Sequence, residues 1–184
     1  MTYDQFKKII SYDDICNKYY SEIKFEYFLE TGTANAESTI SMSPYFKNII
    51  SIEIAKHRYL KCLEKTKNIK NIKLHLGDSA NLLEDILKNI NENIVFWLDA
   101  HYSPLSDSGK GNKDCPLIEE LSVISKRSND DIIIIDDYSI FGTNGCIGAN
   151  WEDIVVDKIL GLFNEKRILR HFVIDDMFCL FIKK

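Results

Sequence analysis

Four side chains stand out for the chemistry they could do. Asp99 and His101 close the apolar run in "FWLDAHYSPL", and Asp136 and Asp137 close the one in "IIIIDDYS". Three carboxylates gathered at one place form a hard oxygen set suited to Mg²⁺, with Ca²⁺ or Mn²⁺ as alternatives. Without a cation such crowded acids repel one another, and at least one stays protonated. Taken singly, each acid also serves as a helix N-cap or a solvated loop residue. On an extended chain His101 would share a side with Asp99. It is then either a base that takes a substrate proton or a hydrogen-bonded histidine at a strand end. Tyr102 and Tyr138 follow the two acidic sites and either line a substrate pocket or pack at its rim.

Such residues need elements that bring them together. Apolar β-rich runs over 25–30, 48–54, 72–79, 93–101 and 131–139 alternate with helical patterns over 37–46, 55–67, 80–90, 115–128 and 150–166. The tail 167–184 reads as two strands around Asp175 and Asp176, a hairpin. Alternation of this kind predicts an α/β fold, with a seven-stranded, mostly parallel sheet, helices on both faces and an antiparallel hairpin at the C-terminus. The spacing predicts a single domain over 1–184. Residues 1–20, with Tyr3, Phe6, Ile9, Ile10 and Ile15, are expected to form a helical lid. The polar stretch "SPLSDSGKGNKD" (103–114) reads as a mobile loop, and its Lys110 and Lys113 either meet substrate phosphates or are simply solvated.

The bulk composition narrows the function classes. A chain of 184 residues, 45% hydrophobic and 28% charged, can bury a sizeable core. Its net charge of −5 argues against a general nucleic-acid binder. The five cysteines form no CxxC pair, and Cys62 and Cys179 fall in apolar patterns, which fits core thiols in a reducing, cytoplasmic setting. No apolar run suits a signal peptide or a membrane helix, so no membrane association is expected. His57, His75 and His171 fall in regular elements and read as structural or exposed.

Parallel sheets bind ligands beyond the carboxyl ends of their strands. The residues there are Glu30 and Gly32, Glu53, Gly77 with Asp78 and Ser79, Asp99, and Asp136 with Asp137. Glu53 follows Gly32 by about 20 residues, the usual separation between a glycine turn and an acid that accepts from two ribose hydroxyls. Asp78 could accept from an adenine amino group or cap the next helix, and Ser79 could serve a ring nitrogen or the same cap.

This order of features resembles the class I S-adenosylmethionine-dependent methyltransferases, whose fold is Rossmann-like. "FLETGTANAEST" looks like the family's first motif, with Ala34 and Ala36 where glycines are usual. The resemblance implies S-adenosylmethionine as cofactor, with Glu30, Gly32, Thr33, Ala34, Glu53, Asp78, Ser79 and Asp99 around it. "LDAHYS" followed by "IIIIDDYS" is similar to the metal-dependent sugar O-methyltransferases of the macrocin type. That similarity implies Mg²⁺ or another divalent cation at Asp99, Asp136 and Asp137, with Asp99 and His101 catalytic. The implied acceptor is a sugar, nucleotide-sugar or glycan hydroxyl, with a second subunit as one way to complete the site. The rivals are a catechol-like acceptor and a cofactor-binding scaffold without chemistry.

Overall fold

The computed structural model describes residues 1–144 and 149–184; Cys146 and its immediate neighbours lie outside the described residues. Five parallel strands form the centre of the sheet: β1 (Tyr27–Thr31), β2 (Asn48–Glu53), β3 (Ile72–Leu76), β4 (Ile94–Leu98) and β5 (Ile132–Ile135). The hairpin strands β6 (Ile168–Ile174) and β7 (Met177–Ile182) extend it, with β7 antiparallel to both β5 and β6. The order is β3-β2-β1-β4-β5-β7-β6. The chain leaves β1 first toward one edge and then returns to β4 on β1's other side. The crevice between the ends of β1 and β4 is therefore the switch point where such sheets take ligands.

Period-two alternation along the strands divides the interior. Leu29, Phe96, Leu98, Ile133, Ile135 and Leu180 face one apolar cluster, while Phe28, Val95, Trp97, Ile132, Ile134 and Phe181 face another. The first cluster is covered by α5 (Ser79–Leu87), α6 (Leu117–Ile124) and α7 (Val156–Leu160). The second is covered by α1 (Tyr3–Tyr12), α2 (Asp14–Tyr20) and α3 (Glu37–Met42). Each fully buried Leu, Ile or Phe contributes about 1.5–3 kcal/mol relative to exposure. At the sheet's amino end, a buried Arg127–Asp131 ion pair at 2.8 Å ties α6 to β5. The second oxygen of Asp131 accepts from the Ile94 amide, at the start of β4.

Three expectations are revised by the packing. The N-terminal helices bury Phe6, Ile9, Cys16 and Tyr20 against the sheet, so this segment is mainly a packed layer; Ile15 is exposed. The helix expected over 150–166 shrinks to α7. Asn150 makes a side-chain turn to the Glu152 amide, and the Trp151 amide bonds to the Thr143 carbonyl, which diverts the first turns. The stretch 103–114 is tied down by its own hydrogen bonds and by contacts with Asp78 and with α4 (Lys56–Thr66), as described below. Among the described residues no helix is long and apolar enough to cross a membrane.

Candidate functional site

The turn after β1 sets the geometry of the site. Gly32 has φ +85°, and a Cβ built there would lie 2.4 Å from the Asp99 carbonyl oxygen. Glycine is thus what lets the β1 and β4 ends touch. The turn goes on through Ala34 and Ala36, both in the left-handed region at φ 48° and 62°. For alanine that region is strained by about 1–2 kcal/mol per residue. Two acids hold the turn in place. Glu53 accepts from the Ala34 amide at 2.9 Å and the Ala55 amide at 2.8 Å. Glu30, fully buried, is saturated by the hydroxyls of Ser38, Thr39 and Ser51, and Ser51 in turn bonds Thr33 at 2.6 Å. Burial pushes the Glu30 carboxyl up, and these hydroxyls pull it back.

The switch point opens into a pocket of about 240 Å³ whose wall includes Gly32, Ala34, Glu53, Asp78, Ser79 and Asp99. Six of the residues expected around a cofactor therefore share one cavity. Glu30 and Thr33 are not on its wall; they brace the turn from beneath, because the alternation along β1 sends the Glu30 carboxylate into the helix layer. Asp78 caps α5 through the Ala80 amide at 3.0 Å, so the capping role is realised. Its other oxygen faces the polar loop, where the absence of a side chain on Gly111 lets the backbone come close; a Cβ there would sit 2.5 Å from that oxygen.

That loop, 103–114, roofs the pocket. Its far end returns to pair with the Tyr102 amide through the Asp114 carbonyl at 2.6 Å. Its middle is stapled to α4, where Asp107 accepts from Arg58 Nε at 2.7 Å and lies 2.8 Å from His57 Nε2. Arg58 first and His57 second hold the Asp107 carboxyl down at about 2, so the staple stays charged through the neutral range. Asp107→Ala is expected to weaken S-adenosylhomocysteine binding by about tenfold, through loss of a preorganised roof, with little change in melting temperature. Calorimetry beside a thermal melt checks both halves.

Beyond the pocket floor lie the acids. The last assigned residue of β4 is Leu98, but the Asp99 amide still bonds the Thr31 carbonyl at 3.0 Å, and His101 follows two residues on. His101 Nδ1 is 3.5 Å from Asp99 Oδ1 and 3.7 Å from Asp137 Oδ2. Asp137 reaches this position because it adopts φ 57°, reversing the chain after β5. Donor atoms of Asp99, His101 and Asp137 all lie within 4.8 Å of one another, the spread that a bound cation would draw together. Nδ1 is buried with no hydrogen-bond partner among the described residues. Asp136, whose amide bonds the Leu98 carbonyl at 3.2 Å, is outside this group of donors. It acts through its charge. Burial first, then the charges of Asp136 and Asp137, hold the Asp99 carboxyl well above the ordinary carboxylate range. Burial raises Asp136 as well.

Tyr102 joins the pocket wall with Lys110 5.0 Å over its ring, whereas Tyr138 packs on Phe141 at 5.2 Å. Trp97, Cys62 and Cys179 are core residues, as expected. One residue escaped the sequence reading: Glu120 of α6 is 1% exposed beneath Asp99 and His101, and burial pushes its carboxyl up to about 7. The sequence did carry a signal for it, because Leu117, Glu120, Leu121 and Ile124 form one helical stripe and Glu120 is its only acid.

No family model matches the chain, and no curated protein matches it. Solved structures do. A proposed methyltransferase of Streptococcus mutans, in complex with SAH, aligns with TM-score 0.59 at 18% identity over 88% of this chain and 90% of that one. The SAH-bound methyltransferase of Podospora anserina gives 0.60 at 16% identity, covering 86% of this chain and 72% of its own. An rRNA methylase of Streptococcus thermophilus gives 0.53 at 16% identity over 88% of each chain. The chain thus has the fold of the S-adenosylmethionine-dependent methyltransferases, with the seven-stranded sheet and terminal hairpin expected of it.

Proposed function

We propose that this chain is an S-adenosylmethionine-dependent methyltransferase acting on a hydroxyl of a sugar or glycan, with a divalent cation held by Asp99, His101 and Asp137. The observation that carries the reading is the contact between Gly32 and the Asp99 backbone, which sets the nucleoside-sized pocket directly against the acid cluster. The residues suit both groups. A side chain at position 32 would fill the cradle at the switch point, and the buried Nδ1 of His101 wants a partner between two carboxylates. When bound, S-adenosylmethionine supplies an electrophilic methyl group, and the cation lowers the pKa of a hydroxyl beside it.

The chain's own residues do the rest. Glu53 retains lone pairs beyond the two spent on backbone amides, enough to accept from ribose hydroxyls. Asp78 and the loop pressed on it enclose the base. The stapled roof excludes water from the methyl-transfer site. In this reading His101 is a cation ligand and not the base expected from its spacing, because Nδ1 is buried between carboxylates. A polyhydroxyl acceptor suits the rim better than RNA does. Lys110 and Lys113 at the mouth are paired with Asp114 and Glu119, leaving little net charge there for phosphates. A second reading, a catechol-like acceptor, draws on the aromatic run of Tyr138, Phe141 and Trp151 beside His101.

The test begins with calorimetry. Micromolar S-adenosylhomocysteine binding is expected, and absence of heat ends the enzyme reading; binding without any methyl transfer favours the scaffold. Labelled-methyl transfer is then measured on free sugars, nucleotide sugars, a catechol and RNA. A chelator is expected to reduce transfer by about 10²-fold or more, with rescue by Mg²⁺. Transfer unaffected by the chelator removes the cation.

A further inference from the structure

Beneath the acid cluster lies a second, much smaller cavity of about 10 Å³, bounded by Asp99, His101, Glu120, Asp136 and Trp151. That is the room one water molecule needs. Two of its walls carry polar atoms that the fold leaves unserved. Glu120 Oε1 and Trp151 Nε1 are buried and have no hydrogen-bond partner among the described residues, although the Ser79 and Thr31 hydroxyls bear on the Glu120 carboxyl and oppose its rise; the two residues are 1% and 3% exposed. A buried donor or acceptor without a partner costs about 1–3 kcal/mol, so two of opposite kind on one water-sized cavity call for a molecule that both accepts and donates. Water does both. A cation would leave the indole N–H without an acceptor, and an anion would be repelled by the three carboxylates on the wall.

We propose that one internal water bridges Trp151 Nε1 and Glu120 Oε1, and that Trp151 and Glu120 are thereby positioning residues for His101. The water accepts from the indole N–H, donates one hydrogen to Glu120, and has its second for a neighbouring carboxylate of the cavity, Asp99 or Asp136. The indole so fixed meets the His101 ring edge-on, with centroids 5.3 Å apart and planes at 64°. The imidazole is thus held by a wall whose own orientation depends on the water. Outer partners of this kind change metal affinity by about 10–100-fold when removed. The effect on His101 rests on the cation reading above, whereas the water itself does not.

The experiment separates the two. A high-resolution crystal structure of the cofactor-free protein is expected to show one water within hydrogen-bond distance of both Glu120 and Trp151. Empty density, or a protein group in that place, overturns the proposal. Mn²⁺ titration of wild type, Trp151→Phe and Glu120→Gln reads the consequence. Trp151→Phe, which keeps an aromatic ring and loses the donor with part of the indole, is expected to weaken Mn²⁺ binding about tenfold while leaving S-adenosylhomocysteine affinity unchanged. Glu120→Gln, which still accepts from the water, is expected to retain near-wild-type Mn²⁺ affinity. Equal Mn²⁺ affinity in wild type and Trp151→Phe overturns the positioning role. No Mn²⁺ binding by wild type beside a clear bridging water overturns the cation reading and the positioning role, and leaves the water standing.

Discussion

Gly32→Ala is expected to abolish detectable S-adenosylhomocysteine binding, by about 100-fold or more in Kd, and to lower the melting temperature. Two independent penalties act at this position. The backbone sits at φ +85°, where any L-residue is strained by about 1–2 kcal/mol. The new methyl would also lie 2.4 Å from the Asp99 carbonyl oxygen and 2.8 Å from its carbon, both backbone atoms that cannot rotate away. Relief requires the β1 and β4 ends to part, which opens the floor of the pocket. A total of about 3 kcal/mol or more corresponds to a drop of about 6–12 °C in a chain of this size. Ala34→Gly supplies the opposite control, because Ala34 already occupies φ 48° and glycine removes that strain. Its melting temperature is expected to hold or rise. A Gly32→Ala protein with wild-type affinity and melting temperature would show that the contact plays no part in the site.

The second large effect is a cation response that grows with pH. Asp99, Asp136 and Glu120 all have carboxyls raised above the ordinary range, chiefly by burial. The folded chain therefore holds protons that the unfolded chain has released. Stability is fully present below the unfolded-state values and falls as pH climbs through the raised ones. For Glu120, which moves from 4.5 to about 7, the loss is about 3 kcal/mol over that window. A divalent cation substitutes for the protons at Asp99, so its effect grows as the pH is raised. Free Mg²⁺ at about 100 times its Kd stabilises by about 2.7 kcal/mol, or about 5–10 °C. Asp99→Asn is expected to remove this Mg²⁺ response and to raise the cation-free melting temperature at pH 8 by relieving repulsion. Thermal melts across pH, with and without Mg²⁺, decide it; a shift that is the same at pH 5 and pH 8 would sink the linkage.

The sheet was readable because its signal is local. Runs such as "IVFWL" and "IIII" are buried on both faces, and helical stripes separate them. The pocket was readable for the same reason, since Glu53 ends a strand, Gly32, Asp78 and Asp99 follow one, and the topology brings strand ends together. What escaped depends on contacts distant in sequence or on single dihedral angles. The exclusion of Asp136 from the donor cluster turns on the reversal at Asp137, which no spacing announces. The roof over the pocket rests on Asp107 meeting Arg58 and His57 from another element, so a polar stretch that looked loose is fastened. Glu120 was hidden by its neighbours, whose apolar stripe drew attention from the acid within it.

The division of the interior into two clusters has a practical corollary for engineering. Among the described residues no buried side chain belongs to both, because adjacent strand residues such as Phe28 and Leu29 point to opposite layers. Repacking Met42 or Phe46 on one side and Leu83 or Leu121 on the other should therefore combine additively, since lesions without shared neighbours do so within about 0.3–0.5 kcal/mol. Either half can be redesigned without re-optimising its counterpart, provided the strand ends that carry Gly32 and Asp99 keep their separation.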